Sequence, residues 1–209
     1  MINLCLLLFA FSLIYLSITE RFRTFAMLIS MQGFFLFGIC FALLDEIEPI
    51  NLAFIVVETI IFKAVVVPAL MYRIIRRTNI NRVHKDALPT FYSVILTTLM
   101  LVVSVVLVFM LHDNNINPLF FSVALFAMFT GLLLIITHKR IFSHMVGFLV
   151  IENAVFLFSV AVGTEMPMLI NVGVLLDIFM TVLIFGIFIL RINSKVHNLN
   201  IDALTTIRD

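Results

Sequence analysis

Seven apolar runs, each close to the length a helix needs to cross a bilayer, recur along this 209-residue chain and take up most of it. They cover residues 3–19, 25–44, 50–75, 91–111, 119–137, 145–162 and 168–190. A membrane-spanning helix needs about 20 predominantly apolar residues, because the bilayer core offers no water to an open backbone. No helix-period set of polar residues interrupts any run, so each reads as a span rather than as an amphipathic surface helix. The connectors are short and polar: TERFR, DEIEP, HDNNINP, HKR and GTEMP. One is longer, from Arg73 to Pro89, and carries the basic run RRTNINR, read as a solvated loop that holds topology. The expected fold is all-α: a polytopic membrane protein with seven transmembrane helices.

Charge placement sets the orientation. Arg21 and Arg23 follow the first run, Arg73, Arg76, Arg77, Arg82 and Lys85 the third, Lys139 and Arg140 the fifth, and Arg191, Lys195 and Arg208 the seventh. With seven spans all of these fall on one face, while the other holds only Asp45, Glu46, Glu48, Asp113 and Glu165. The positive-inside rule makes the basic face cytoplasmic, which puts the N-terminus outside and the C-terminus in the cytoplasm. Six or eight spans would mix the two sets. With no Trp in the chain, the interfacial belt falls to Tyr72, Tyr92 and the helix-end basic residues.

Other classes are excluded by what remains. The chain is 63% hydrophobic and 12% charged, about half the charge of a soluble domain, so little is left for a soluble catalytic module. There is no Gly-rich phosphate loop, no His/Cys metal cluster and no Ser–His–Asp set. No catalytic activity of its own, no cofactor and no nucleic-acid partner are expected. Cys5 and Cys40 lie inside apolar runs and read as small packing residues. The opening MINLCLLLFAF lacks the basic region and cleavage site of a signal peptide and is read as the first span. A retinal protein or receptor is set aside because the only Lys inside a span, Lys63, is on the third helix.

The two ends of the chain resemble each other at a spacing near 120 residues. The segments MLISMQGFFLFGICFALLDEIEP and FIVVETIIFKAVVVPALMYRI match HMVGFLVIENAVFLFSVAVGTEMP and NVGVLLDIFMTVLIFGIFILRI. Gln32 falls against Glu152, Pro49 against Pro167, Glu58 against Asp177 and Arg73 against Arg191, within one or two positions. Three helices end on the opposite side from where they began, so a directly fused second copy would be inverted. The fourth helix restores the side, and the repeats can be parallel. The expected organisation is a first three-helix repeat over 1–77, a basic loop and spacer helix over 78–118, a second repeat over 119–192, and a cytoplasmic tail over 193–209.

Four ionisable residues lie inside the spans: Glu58 and Lys63 on the third, Glu152 on the sixth and Asp177 on the seventh. Each opposes insertion by roughly 2.5–3.5 kcal/mol unless partnered, neutralised or hydrated, so such residues mark ion or proton pathways. Gly173, Asp177 and Thr181 recur every four residues as a small, polar stripe, and Glu152 is followed by Asn153. In an α-helix Glu58 and Lys63 stand about 140° apart, so Lys63 is expected to reach a carboxylate on another helix or subunit. Low dielectric disfavours a charged carboxylate and a neighbouring ammonium favours it, so moving the ammonium can switch a site between holding and releasing a proton. The expected relay is Glu152, Asp177, Glu58 and Lys63. Gln32, Asn153 and Thr181 are accessory candidates, and His138 and His144 could feed protons from the cytoplasmic turn.

The segment from Gly147 to Ile189, with its IENA…LLD motif, resembles component E of the hydrogenase-4 and formate hydrogenlyase complexes, and the likeness extends along the chain. The last three helices are also similar to the small K (4L) subunit of respiratory complex I and its Mrp antiporter counterpart. The resemblance implies that Glu152 and Asp177 stand where the K subunit carries two acids of its proton-conducting axis. In the first repeat Gln32 replaces the middle-helix acid while Glu58 keeps the last-helix one. Implied partners are large antiporter-like membrane subunits and a peripheral redox arm, in a bacterial or archaeal cytoplasmic membrane. The alternatives are a small subunit of a redox-independent cation/proton antiporter and a scaffold for neighbouring pumping subunits.

Overall fold

In the computed structural model, residues 2–43, 53, 56–78, 89–111, 116–138 and 141–162 are described. They form six helices and no strand: α1 (Ile2–Ile18), α2 (Phe22–Leu43), α3, whose first part Val56–Val66 is π-helical and whose second part Val67–Thr78 is α-helical, α4 (Thr90–Leu111), α5 (Pro118–Thr137) and α6 (Ile141–Val162). Four of them, α2, α4, α5 and α6, are long and apolar enough to cross a membrane, and α1 is a shorter apolar helix of 17 residues. The chain is a membrane-embedded helical protein. The expected seventh span, with Asp177 and Thr181, lies outside the described residues, as does the side chain of Glu58.

The helices follow the apolar runs with informative shifts. α6 begins at Ile141, four residues ahead of its run. α5 starts where Asn117 accepts a hydrogen bond from Leu119 N at 3.2 Å and Pro118 occupies the first turn, where no amide donor is needed. α3 continues to Thr78, past the end of its apolar run and into the basic stretch.

Interhelix contacts fix the directions. Cys5 Sγ lies against Gly38 and Ser12 against Gln32, so α1 and α2 are antiparallel. Tyr72 donates to Arg23 O at 3.3 Å while Ser30 meets Ala64, so α2 and α3 are antiparallel. Asn117 N donates to Ala161 O at 3.0 Å and Phe121 meets Phe158 edge to face at 5.0 Å, which makes α5 and α6 a third antiparallel pair. The middle pair differs. Phe22 and Phe142, at the starts of α2 and α6, sit 4.4 Å apart, and Gln32 and Asn153 meet midway along, so α2 and α6 run parallel. α4 touches α1 and α5 and otherwise presents an exposed apolar surface from Phe91 to Leu111.

With apolar side chains on every face, packing depends on shape rather than on polarity. α1 buries Leu6, Phe9, Leu13 and Leu16 at three- and four-residue spacing. Small residues let backbones approach, as membrane packing requires. On α5 and α6, a Cβ added at Gly131 would stand 2.7 Å from Gly147 O, and one at Gly147 would stand 2.7 Å from Gly131 O. These two helices therefore touch backbone to backbone.

Candidate functional site

Three polar side chains are joined in the middle of the bundle. Asn153 Nδ2 on α6 donates to Gln32 Oε1 on α2 at 3.0 Å, Gln32 Nε2 donates to Ser12 Oγ on α1 at 3.0 Å, and Ser12 Oγ donates to Phe9 O at 2.6 Å. All three are buried, and Gln32 is fully enclosed. Each helix needs this: an amide in hydrocarbon is costly unless bonded, and here the amides bond one another. None of the three titrates, and the donors all point one way towards α1. The chain is therefore a cross-link between α1, α2 and α6 rather than a proton wire.

The ionisable groups lie beside it. Lys63 on α3 is buried, and its ammonium sits 4.9 Å from the centroid of the Phe156 ring on α6. A desolvated ammonium over an aromatic face gains about 2 kcal/mol. Phe156 is one helical turn beyond Glu152, on the same face of α6, and Glu152 stands at the midpoint of that helix. Glu152 is half-buried, with its Oε1 shielded from solvent. Thus the lysine crosses from α3 to the side of α6 that carries the acid, and Asn153, the next residue, turns into the bundle towards α2.

The π-helical part of α3 changes the relation between positions 58 and 63. π-Helical turns close through i→i+5 bonds and are wider than α turns, so residues five apart come nearer to one face than the about 140° of an α-helix allows. A proline stands two residues beyond the π-helical segment. Pro68 has no amide donor for the carbonyl of residue 64, and its ring crowds that carbonyl. Ser30 Oγ on α2 donates to Ala64 O at 2.6 Å in its place.

At the turn between α5 and α6, His138 caps α5 and is buried, with its amide donating to Leu134 O. Thr137 Oγ1 donates to Leu133 O at 2.7 Å and lies 2.9 Å from His138 Nδ1. Burial pushes the His138 imidazole below its ordinary value; the Leu134 hydrogen bond opposes this and His144 adds to it. His144 lies half-buried in the first turn of α6.

Comparison of the chain with protein-family models, curated proteins and solved structures found no match.

The structure joins Gln32 to Asn153 and sets Lys63 over Phe156, one turn from Glu152, while His138 and His144 lie at the helix ends. Ser12, Ser30, Gly33, Thr59 and Phe156 were not singled out by sequence. Ser12 and Pro68 carried a signal, as a polar residue and a helix breaker inside apolar runs. Phe156 carried none, being one of 23 Phe residues.

Proposed function

We propose that this chain is a non-catalytic, proton-translocating subunit of a complex-I-like or hydrogenase-4-like membrane assembly, with Glu152, Lys63, Glu58 and Asp177 as its relay. The observation that carries the reading is a buried lysine delivered from α3 to the face of α6 that bears Glu152. An ammonium held there raises or lowers the proton affinity of acids around it according to its distance. Glu58 falls within the wide-turn segment and Asp177 within the run that follows α6. Partners are large antiporter-like subunits, covering exposed apolar faces such as that of α4, with a redox arm where the assembly oxidises a substrate.

Two further features support the repeat organisation behind this reading. Phe22 meets Phe142 and Gln32 meets Asn153, pairs 120 and 121 positions apart, the spacing at which the sequence repeats. Residues on a two-fold axis meet their own equivalents, as at an isologous interface. The helix directions also carry Arg21, Arg23, Arg73 and the His138 turn to one end, in keeping with a cytoplasmic basic face. The saturated Ser12–Gln32–Asn153 cross-link favours a second reading, a scaffold for neighbouring pumping subunits.

Lys63 separates the two. Lys63→Arg keeps the charge and retains part of the proton translocation, measured in vesicles containing the assembled complex, whereas Lys63→Met removes most of it. Loss of assembly in Lys63→Met, with normal pumping by the complex that survives, identifies a structural cation instead.

A further inference from the structure

Pro68 opens a defect in α3 that α2 closes. In a regular α-helix the carbonyl of residue 64 accepts from the amide of residue 68, and proline has no amide hydrogen. The π-helical register ends at Val66, two residues before the proline. Inside a membrane an acceptor released in this way must find another donor. Ser30 Oγ supplies it, at 2.6 Å from Ala64 O.

Three residues along α2, Gly33 faces the same turn. A Cβ there would stand 2.8 Å from Ala64 N and 3.0 Å from Thr59 O, the amide and carbonyl five residues apart that the wide register relates. α2 thus approaches both the carbonyl and the amide of Ala64, directly after Lys63. Returning the turn to α-helical register would rotate Lys63 against the rest of α3 and carry it away from Phe156.

We propose that Ser30 is a positioning residue for Lys63: its hydroxyl replaces the donor that Pro68 lacks and so holds the wide turn that delivers the ammonium to α6. The role of Lys63 in proton transfer rests on the function proposed above; its placement does not.

The full chain, in lipid nanodiscs with its lysines 13C-labelled at Cε, tests this. Lysine stands at positions 63, 85, 139 and 195, and the contact of Lys63 with the Phe156 ring moves its Cε–H signals upfield. Loss of the displaced signal in Phe156→Leu assigns it. Ser30→Ala is expected to lose the displacement and Ser30→Thr to keep it. In a Pro68→Ala background, where the amide donor is restored, Ser30→Ala is expected to change nothing further. A wild-type displacement in Ser30→Ala, or an undiminished effect of Ser30→Ala beside Pro68→Ala, overturns the proposal. If Ser30→Ala does not fold, Ser30→Cys, close in size and a weak donor, repeats the measurement with a partial loss expected and no loss overturning it. Proton translocation in the complex then reads the other layer: a lost displacement with full pumping leaves Ser30 as the positioning residue and removes the proton-path reading.

Discussion

Replacing Gln32 by leucine keeps its volume and deletes two hydrogen bonds at the centre of the bundle. Ser12 loses an incoming bond but still donates to Phe9 O, so it suffers little. Asn153 fares worse, because its Nδ2, buried on α6, loses the acceptor it donates to. Side-chain hydrogen bonds between membrane helices average about 0.6 kcal/mol and reach about 1.7. Stranding a buried donor adds about 1–3 kcal/mol. Gln32→Leu should therefore cost about 2–4 kcal/mol, and Asn153→Leu about the same for the mirrored reason. Removing both amides removes the stranded group as well, so the double variant should cost less than the sum by about 1–2 kcal/mol. Reversible unfolding in bicelles or mixed micelles, followed by helix content and by trapping of the opened state, measures all four corners of the cycle. Single losses that add to within about 0.5 kcal/mol would refute the cross-link. Sequence analysis set Gln32 among the accessory relay residues; in the structure it bonds Ser12 and Asn153.

Two further outcomes follow from the helix pairings and the α5–α6 turn. Gly131→Ala and Gly147→Ala should each destabilise the chain by about 1–3 kcal/mol in the same assay, because the added Cβ meets a backbone oxygen at 2.7 Å that cannot rotate away; a neutral result would mean the helices are not in backbone contact. His138 binds its proton less readily when buried than in the unfolded chain, whose value is near 6.5. The unfolded state therefore takes up more protons just below that pH, and stability should be full above it and fall as pH drops towards the folded value. His138→Gln should flatten that slope, and an unchanged slope would exclude His138 as its source.

The apolar helices were legible because spanning length is a strong constraint. The runs at 91–111 and 119–137 gave α4 and α5 to within one residue. What could not be read was which face turns inward. On α1, Leu6, Phe9 and Leu13 are buried while Leu4, Leu7 and Phe11 are exposed, and no difference in residue type separates them. The same uniformity hid Phe156. The charged residues stood out because each is expensive in hydrocarbon, so Lys63 and Glu152 were found by cost alone. The π-helical register between positions 58 and 63 was not legible, because apolar runs carry no signal of helix type.

The central claim is that buried acids carry protons through this subunit. Glu152→Gln with Asp177→Asn keeps the shape of both side chains and removes only their capacity to titrate, so the complex should still assemble on native gels. Proton uptake or release by vesicles containing that complex is the direct measurement. A steep fall in translocation, with much of it kept in Asp177→Glu, is the predicted result; normal pumping by the doubly substituted complex would contradict the relay and leave the scaffold.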